Sequence, residues 1–246
     1  MISKEFIRVG IMLCQVFAVV EVLSGVHRVD GVNANTYIVD YVDGEKILID
    51  TGMPRSIQKI EHYLSQIGLK PSDLKLAVLT HCHIDHVGCA AELGKRFGIK
   101  TLIGEEDSHY VTGERRLPPP KGLAGVGFRL FGAFLSFEPF KPHATLRDGE
   151  SVGKLRIIHT PGHTPGSICV FDAETATLFS GDALLSSKGE LKPPSPSFSL
   201  NHREAIHSLE KIMDLEVENL CPGHGEPLLG GVGRKLGLAY EKWKNL

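Results

Sequence analysis

The stretch AVLTHCHIDHVGCAAELG, beginning at Ala77, constrains this chain more than any other. KLAVLT reads as a buried strand by composition. It runs directly into His81, Cys82, His83, Asp85 and His86, side chains able to hold a transition metal. If the chain leaves the strand extended, His81 and His83 face one way and Cys82 the other, so Cys82 is expected not to bind. Asp85 and His86 fall at the turn into a helix, where both can point back to the same spot. A histidine-rich run can also be a solvated loop, but HxHxDH followed by Gly88 and an apolar helix is more specific than a lone HxH. Further donors stand at three other strand ends: His163 in HTPGHTPGS, Asp182 in LFSGDALL and His224 in LCPGHGEP. Gly or Pro flanks each of them, the composition of a tight loop that holds a side chain at the end of a sheet.

The rest of the chain is read around these sites. Its 246 residues can form one domain and bury a substantial core. A net charge of −2 and 42% hydrophobic residues describe an ordinary globular chain, with no basic excess to recruit nucleic acid. The 5 cysteines are scattered without a CxxC pair, which fits a reducing, cytoplasmic setting. The N-terminal run VGIMLCQVFAVV is too short to span a bilayer, and Gln15 and Glu21 interrupt or end it, so no membrane association is expected. Residues 1–16 are read as an N-terminal extension of a single domain covering 1–246, with QVFAVVEV as a first strand.

Hairpin strands GVHRVDG and TYIVDYVDGEKILIDTG come next, then a helix carrying Ile57, Ile60, Tyr63, Leu64 and Ile67 at helical spacing. After the metal-donor run, a helix is predicted from Val87 to Phe97 and a strand over GIKTLIGEED. Residues 113–147 are read as a lid-like insertion, in which Phe128, Phe131, Phe134, Phe137 and Phe140 recur every three residues. That face either packs on the core, lines a substrate pocket or forms a homodimer contact. A second round follows: strands KLRIIHT and SICVFDAETATLFSGDALL, a Pro/Ser-rich loop SSKGELKPPSPSFSLNHR, a helix HREAIHSLEKIMDL, a strand at VENLCPGHGEP and a short tail helix from Gly231. Two such rounds suit two sheets packed face to face with helices outside.

These motifs resemble the metallo-β-lactamase superfamily, most closely its hydroxyacylglutathione-hydrolase (glyoxalase II) and lactonase-type branch. The resemblance runs from about Val22 to Pro227 and implies an α+β fold, the four-layer αββα sandwich. It further implies that His81, His83 and His163 hold one metal and that Asp85, His86 and His224 hold a second, with Asp182 bridging them. Asp50 in LIDTG matches the family's strand-end aspartate, which orients a ligand histidine. Nitrogen and carboxylate donors without thiolate suit zinc, while admitting iron or manganese. Two such ions would make a hydroxide of a water held between them, with Asp85 steadying or shuttling its proton.

The expected activity is therefore hydrolysis of a thioester, ester or lactone in a small-molecule substrate. The alternatives are an oxygenase with a single iron, similar to the persulfide dioxygenases, and a metal-dependent phosphodiesterase or nuclease. The remaining histidines are read as surface or hydrogen-bonded groups; among them His202 is the one expected at the pocket rim.

Overall fold

The structure, a computed structural model, describes residues 20–29, 32–122, 125–126 and 136–246. The expected extension 1–16, and Phe128, Phe131 and Phe134, lie outside the described residues. The first half of the chain builds a seven-stranded sheet in sequence order, from β1 (Val20–Leu23), β2 (Val26–Val29), β3 (Thr36–Asp40) and β4 (Lys46–Ile49) to β5 (Leu74–Leu79), β6 (Lys100–Gly104) and β7 (Ala144–Leu146). Neighbours from β1 to β4 pair antiparallel and those from β4 to β7 pair parallel. The second half builds a five-stranded sheet from β8 (Ser151–Val152), β9 (Leu155–His159), β10 (Ile168–Asp172), β11 (Thr177–Gly181) and β14 (Asn219–Pro222). In that sheet β14 lies parallel to β11, and the other pairs are antiparallel.

Because side chains alternate across a strand, a strand apolar at successive positions needs cover on both faces. Tyr37, Val39, Ile47, Ile49 and Val78 of the first sheet meet Ile157, Ile168, Val170 and Phe179 of the second in the central core. On the outer face of the first sheet, Ile38, Leu48 and Ala77 are covered by α1 (Ile57–Gln66) through Ile57, Ile60 and Leu64. On the outer face of the second, Cys169, Phe171 and Leu220 are covered by Ile206, Ile212, Leu236 and Tyr240, residues of the later helices. The order helix, sheet, sheet, helix is the αββα sandwich expected from the sequence.

Several local expectations are corrected. The helix predicted from Val87 to Phe97 is α3 (Ala90–Phe97), and the turn expected before it at Asp85 and His86 is a short helix of its own, α2 (Ile84–Val87). They part at Gly88, whose backbone lies so close to Pro54 that a Cβ would come within 2.3 Å of its nitrogen. The strand read over GIKTLIGEED stops at Gly104, and α4 (Glu105–Val111) begins with three acidic residues in its first turn, a charge distribution that favours a helix start. The helix read over HREAIHSLEKIMDL is two short helices, α5 (His202–His207) and α6 (Glu210–Met213). Within the stretch read as a Pro/Ser-rich loop, β12 (Leu185–Ser187) and β13 (Glu190–Lys192) form a hairpin. The tail helix is α7 (Val232–Trp243). Ala144–Leu146, inside the 113–147 segment, forms the edge strand of the first sheet, and Phe137 and Phe140 pack against the cluster around Leu79 and Ile103. Among the described residues, no helix is long and apolar enough to cross a membrane.

Candidate metal centre

Parallel pairing of β4 with β5, and of β11 with β14, places the carboxyl ends of these strands together at one edge of the sandwich. Asp50 follows β4, His81 and His83 follow β5, Asp182 follows β11 and His224 follows β14. His163 stands in the loop between β9 and β10, and Asp85 and His86 lie in α2. Every ligand expected from the sequence therefore arrives at the same edge, and the ligating atoms form three overlapping groups that could each hold an ion: first His81, His83 and His163, second Asp85, His86 and His224, and between them His81, His86 and Asp182.

In the first group, His83 Nδ1 lies 3.1 Å from His81 Nε2 and 2.9 Å from His163 Nε2. In the second, His224 Nε2 lies 3.2 Å from Asp85 Oδ2, and His86 Nε2 lies 4.0 Å from Asp85 Oδ1. Each trio, His81 with His83 and His163, and Asp85 with His86 and His224, has its donor atoms within 4.8 Å of one another. Asp182 stands between the trios, with Oδ2 3.5 Å from His163 Nε2 and 3.7 Å from His224 Nε2. Its Oδ1 lies 3.5 Å from His86 Nε2. Such nitrogen–nitrogen and nitrogen–oxygen separations are what a shared cation of short coordination bonds would leave between its ligands.

The far sides of three of the rings, His81, His86 and His163, are held by the protein, which fixes which nitrogen faces inward. His86 Nδ1 meets Asp50 Oδ2 at 2.7 Å. Asp50 also accepts from the Thr80 amide and hydroxyl, each at 2.8 Å, and adopts a positive φ of 61° that an aspartate tolerates better than most residues. His163 Nδ1 meets Ser199 Oγ at 3.2 Å, and His81 Nδ1 meets Thr80 Oγ1 at 3.1 Å. The loop bearing His224 is clamped by Tyr37, whose hydroxyl donates to the Pro222 carbonyl, and by Asn35, whose amide side chain donates to the carbonyls of Pro222 and Gly225. Thr80, Ser199 and Asn35 carried no signal in the sequence, because their partners depend on the fold.

Electrostatics divides the trios. Burial holds the pKa of His81 and His163 well below the ordinary histidine value, and lowers that of His83 to about 4. Their lone pairs are therefore free for a cation at neutral pH. Burial opposes a charge on His86 as well, but Asp50, Asp85 and Asp182 outweigh it and push its pKa up to about 10. Burial also opposes ionisation of Asp85, yet His86 and His224 outweigh it and its carboxyl stays ionised. Burial raises the pKa of Asp182. Three carboxylates around one edge create a field that favours positive charge there. Consistent with that, His86 Nε2 and Asp182 Oδ1 are buried without a hydrogen-bond partner. Uncompensated buried polar atoms are costly, and a metal ion bound between them would satisfy both.

Cys82 points the other way. It is buried with Leu79, Val87, Ala90 and Ile103 in an apolar cluster, and burial raises its thiol pKa well above the usual value. Its thiol also meets the Asp107 carboxylate, so Cys82→Ser is expected to leave the metal content per chain unchanged and to change stability by no more than about 1.5 kcal/mol. Elemental analysis and thermal unfolding test both parts, and loss of a metal equivalent would make the sulfur a donor. His202 opens α5, and its Nδ1 is buried without a partner. It stands next to Asn201, whose backbone amide donates to the Gly162 carbonyl beside His163.

The sequence profile described as the metallo-beta-lactamase superfamily matches residues 29–224 of the chain. The probable metallo-hydrolase YflN of Bacillus subtilis (strain 168) is 32% identical over 230 residues, covering 85% of this chain and 87% of its own. The acyl-coenzyme A thioesterase MBLAC2 of Homo sapiens is 28% identical over 224 residues, covering 79% of this chain and 74% of its own. Among solved structures, the metallo-beta-lactamase family protein TTHA1429 from Thermus thermophilus superposes with a TM-score of 0.67 at 25% identity, covering 90% of this chain and 80% of that one. TTHA1623, solved in a di-iron-bound form, superposes with a TM-score of 0.65 at 26% identity, covering 89% of this chain and 98% of that one.

Proposed function

Because the chain belongs to the metallo-beta-lactamase superfamily, we propose that it is a binuclear metal-dependent hydrolase of its glyoxalase II and lactonase-like branch, acting on a thioester, ester or lactone. The observation that carries this reading is the pair of donor trios with Asp182 between them and two buried donor atoms otherwise unpartnered. His81, His83 and His163 would hold one ion, Asp85, His86 and His224 the other, and Asp182 both. Two divalent ions, zinc in the first instance, would lower the pKa of a shared water toward about 7 and polarise the scissile carbonyl.

The protein's own groups do the rest. Asp50 and Ser199 keep the Nε2 atoms of His86 and His163 aimed at the site. Asp85, kept ionised by His86 and His224, would accept a hydrogen bond from a water held at the metals and orient it toward the substrate. With metal-activated water as the nucleophile, no serine or cysteine nucleophile is called for. Ser180 donates its hydroxyl to the Leu184 carbonyl and is a structural part of the loop that carries Asp182. The thioester option is favoured by the similarity to a protein named as an acyl-coenzyme A thioesterase.

Metal analysis of purified protein, paired with a panel of thioester, lactone and phosphodiester substrates, tests this reading. The expected result is about two zinc ions per chain, hydrolysis of a thioester or lactone, and loss of that activity on chelation with recovery on adding zinc back. One iron per chain with oxygen-consuming turnover would point to the dioxygenase chemistry instead. Cleavage of the phosphodiester alone would replace the acyl substrate.

A further inference from the structure

Asp107 lies outside every donor trio, yet it touches the loops that carry all three members of the first. It stands in α4, fully buried. Its Oδ2 accepts the Cys82 amide at 2.8 Å and the Thr164 hydroxyl at 2.6 Å, and its Oδ1 accepts the Gly166 amide at 2.7 Å. Cys82 is flanked in the chain by His81 and His83, and Thr164 directly follows His163. One carboxylate thus ties the loop after β5 to the loop after β9, and each histidine of the trio is next to a residue that it holds. The approach is built into the backbone: a Cβ on Gly104 would lie 2.0 Å from the Gly166 oxygen, and a Cβ on Gly166 would lie 2.3 Å from the Asp107 nitrogen. Only glycine at both positions lets the start of α4 sit against the His163 loop.

We infer that Asp107 is a positioning residue for the first metal: it sets the spacing between His81 and His83 on one loop and His163 on the other. The inference rests on the metal reading proposed above. The carboxylate supplies acceptors for all three donors, two backbone amides and the Thr164 hydroxyl. An asparagine of the same shape cannot do so. Whichever way its amide is turned, its NH2 group faces either the Gly166 amide or the Cys82 amide, donor against donor. One strut is then replaced by two opposed N–H donors, which pushes the loops apart at that point.

The test is zinc affinity, measured by equilibrium dialysis against buffered zinc, in wild type, Asp107→Asn and Thr164→Val, with circular dichroism and thermal unfolding of each metal-free protein. Asp107→Asn is expected to weaken zinc binding about 10–100-fold, the range for a partner one step removed from the metal. Thr164→Val, which removes one strut and keeps both backbone links, is expected to weaken it about 2–10-fold. The loss should persist when His224→Ala disables the second trio, and shrink when His163→Ala has already broken the first. A purely structural role predicts lower thermal stability with zinc affinity unchanged in both variants, or an equal loss in the His163→Ala background; either result overturns the inference. If Asp107→Asn does not fold, Thr164→Val alone decides it by the same comparison. Wild type that binds no zinc or other divalent ion would instead remove the metal reading itself, and this inference with it.

Discussion

On the binuclear hydrolase reading proposed above, Asp182→Ala is expected to cost the protein both metals and its activity together. Its two oxygens face different trios, Oδ1 toward His86 and Oδ2 toward His163 and His224. Outer partners of a metal ligand are worth about 10–100-fold in affinity or activity, so a residue serving both ions should cost at least about 100-fold in kcat/KM. The sign of the stability change separates this from simple misfolding. In the metal-free protein the Asp182 carboxylate is buried, its pKa is raised by that burial, and Oδ1 has no partner. Removing it relieves a cost, so the chelated variant should unfold at the same or a higher temperature than chelated wild type, while the advantage that zinc confers on wild type disappears. A variant retaining two ions per chain would exclude the bridging role.

Gly223→Ala is expected to damage the same centre by crowding. A Cβ there would lie 2.5 Å from Asp182 Oδ1 and 2.7 Å from His86 Cε1. Neither neighbour has room to retreat, since His86 is held from behind by Asp50 and Asp182 is buried. The added methyl should displace both donors, and a misplacement of about 1 Å can cost about 100-fold in rate. Unlike Asp182→Ala, it should also destabilise the metal-free protein, by about 1–3 kcal/mol of overpacking. Gly237→Ala is the matched control. That glycine lies in α7 with nothing within 4 Å of the added carbon, so activity should be unchanged and stability raised by up to about 1 kcal/mol. Equal metal content and activity in Gly223→Ala and wild type would show that the loop after β14 yields more easily than its contacts imply.

The two predictions draw on different kinds of information. Asp182 was legible in the sequence as one of several donors in tight loops after apolar strands, and its place between two ions was implied by the family resemblance. The same reasoning singled out His81, His83, Asp85, His86, His163 and His224 as candidates, and left out Cys82, whose side chain turns to the apolar cluster behind β5. Composition and turn signals also exposed most strands of both sheets, though not β7 or β8. What it could not expose was α4, since GEED after an apolar strand reads equally well as a strand running out into a loop. The short hairpin of β12 and β13 was hidden for a related reason, as three-residue strands have too few positions to display a period.

From the sequence alone came the side chains that could bind metal and most of the strands, because chemical type and local composition are properties of short stretches of chain. The tertiary structure alone decided which donors meet, that Asp50, Ser199 and Asp107 hold them, and that Gly223 must remain bare. Asp107 is separated from Gly166 by 59 positions and Asp50 from His86 by 36. No local pattern encodes such pairs. They form because the parallel strands of each sheet bring their carboxyl ends to one edge, where buried polar groups must find partners that water can no longer supply.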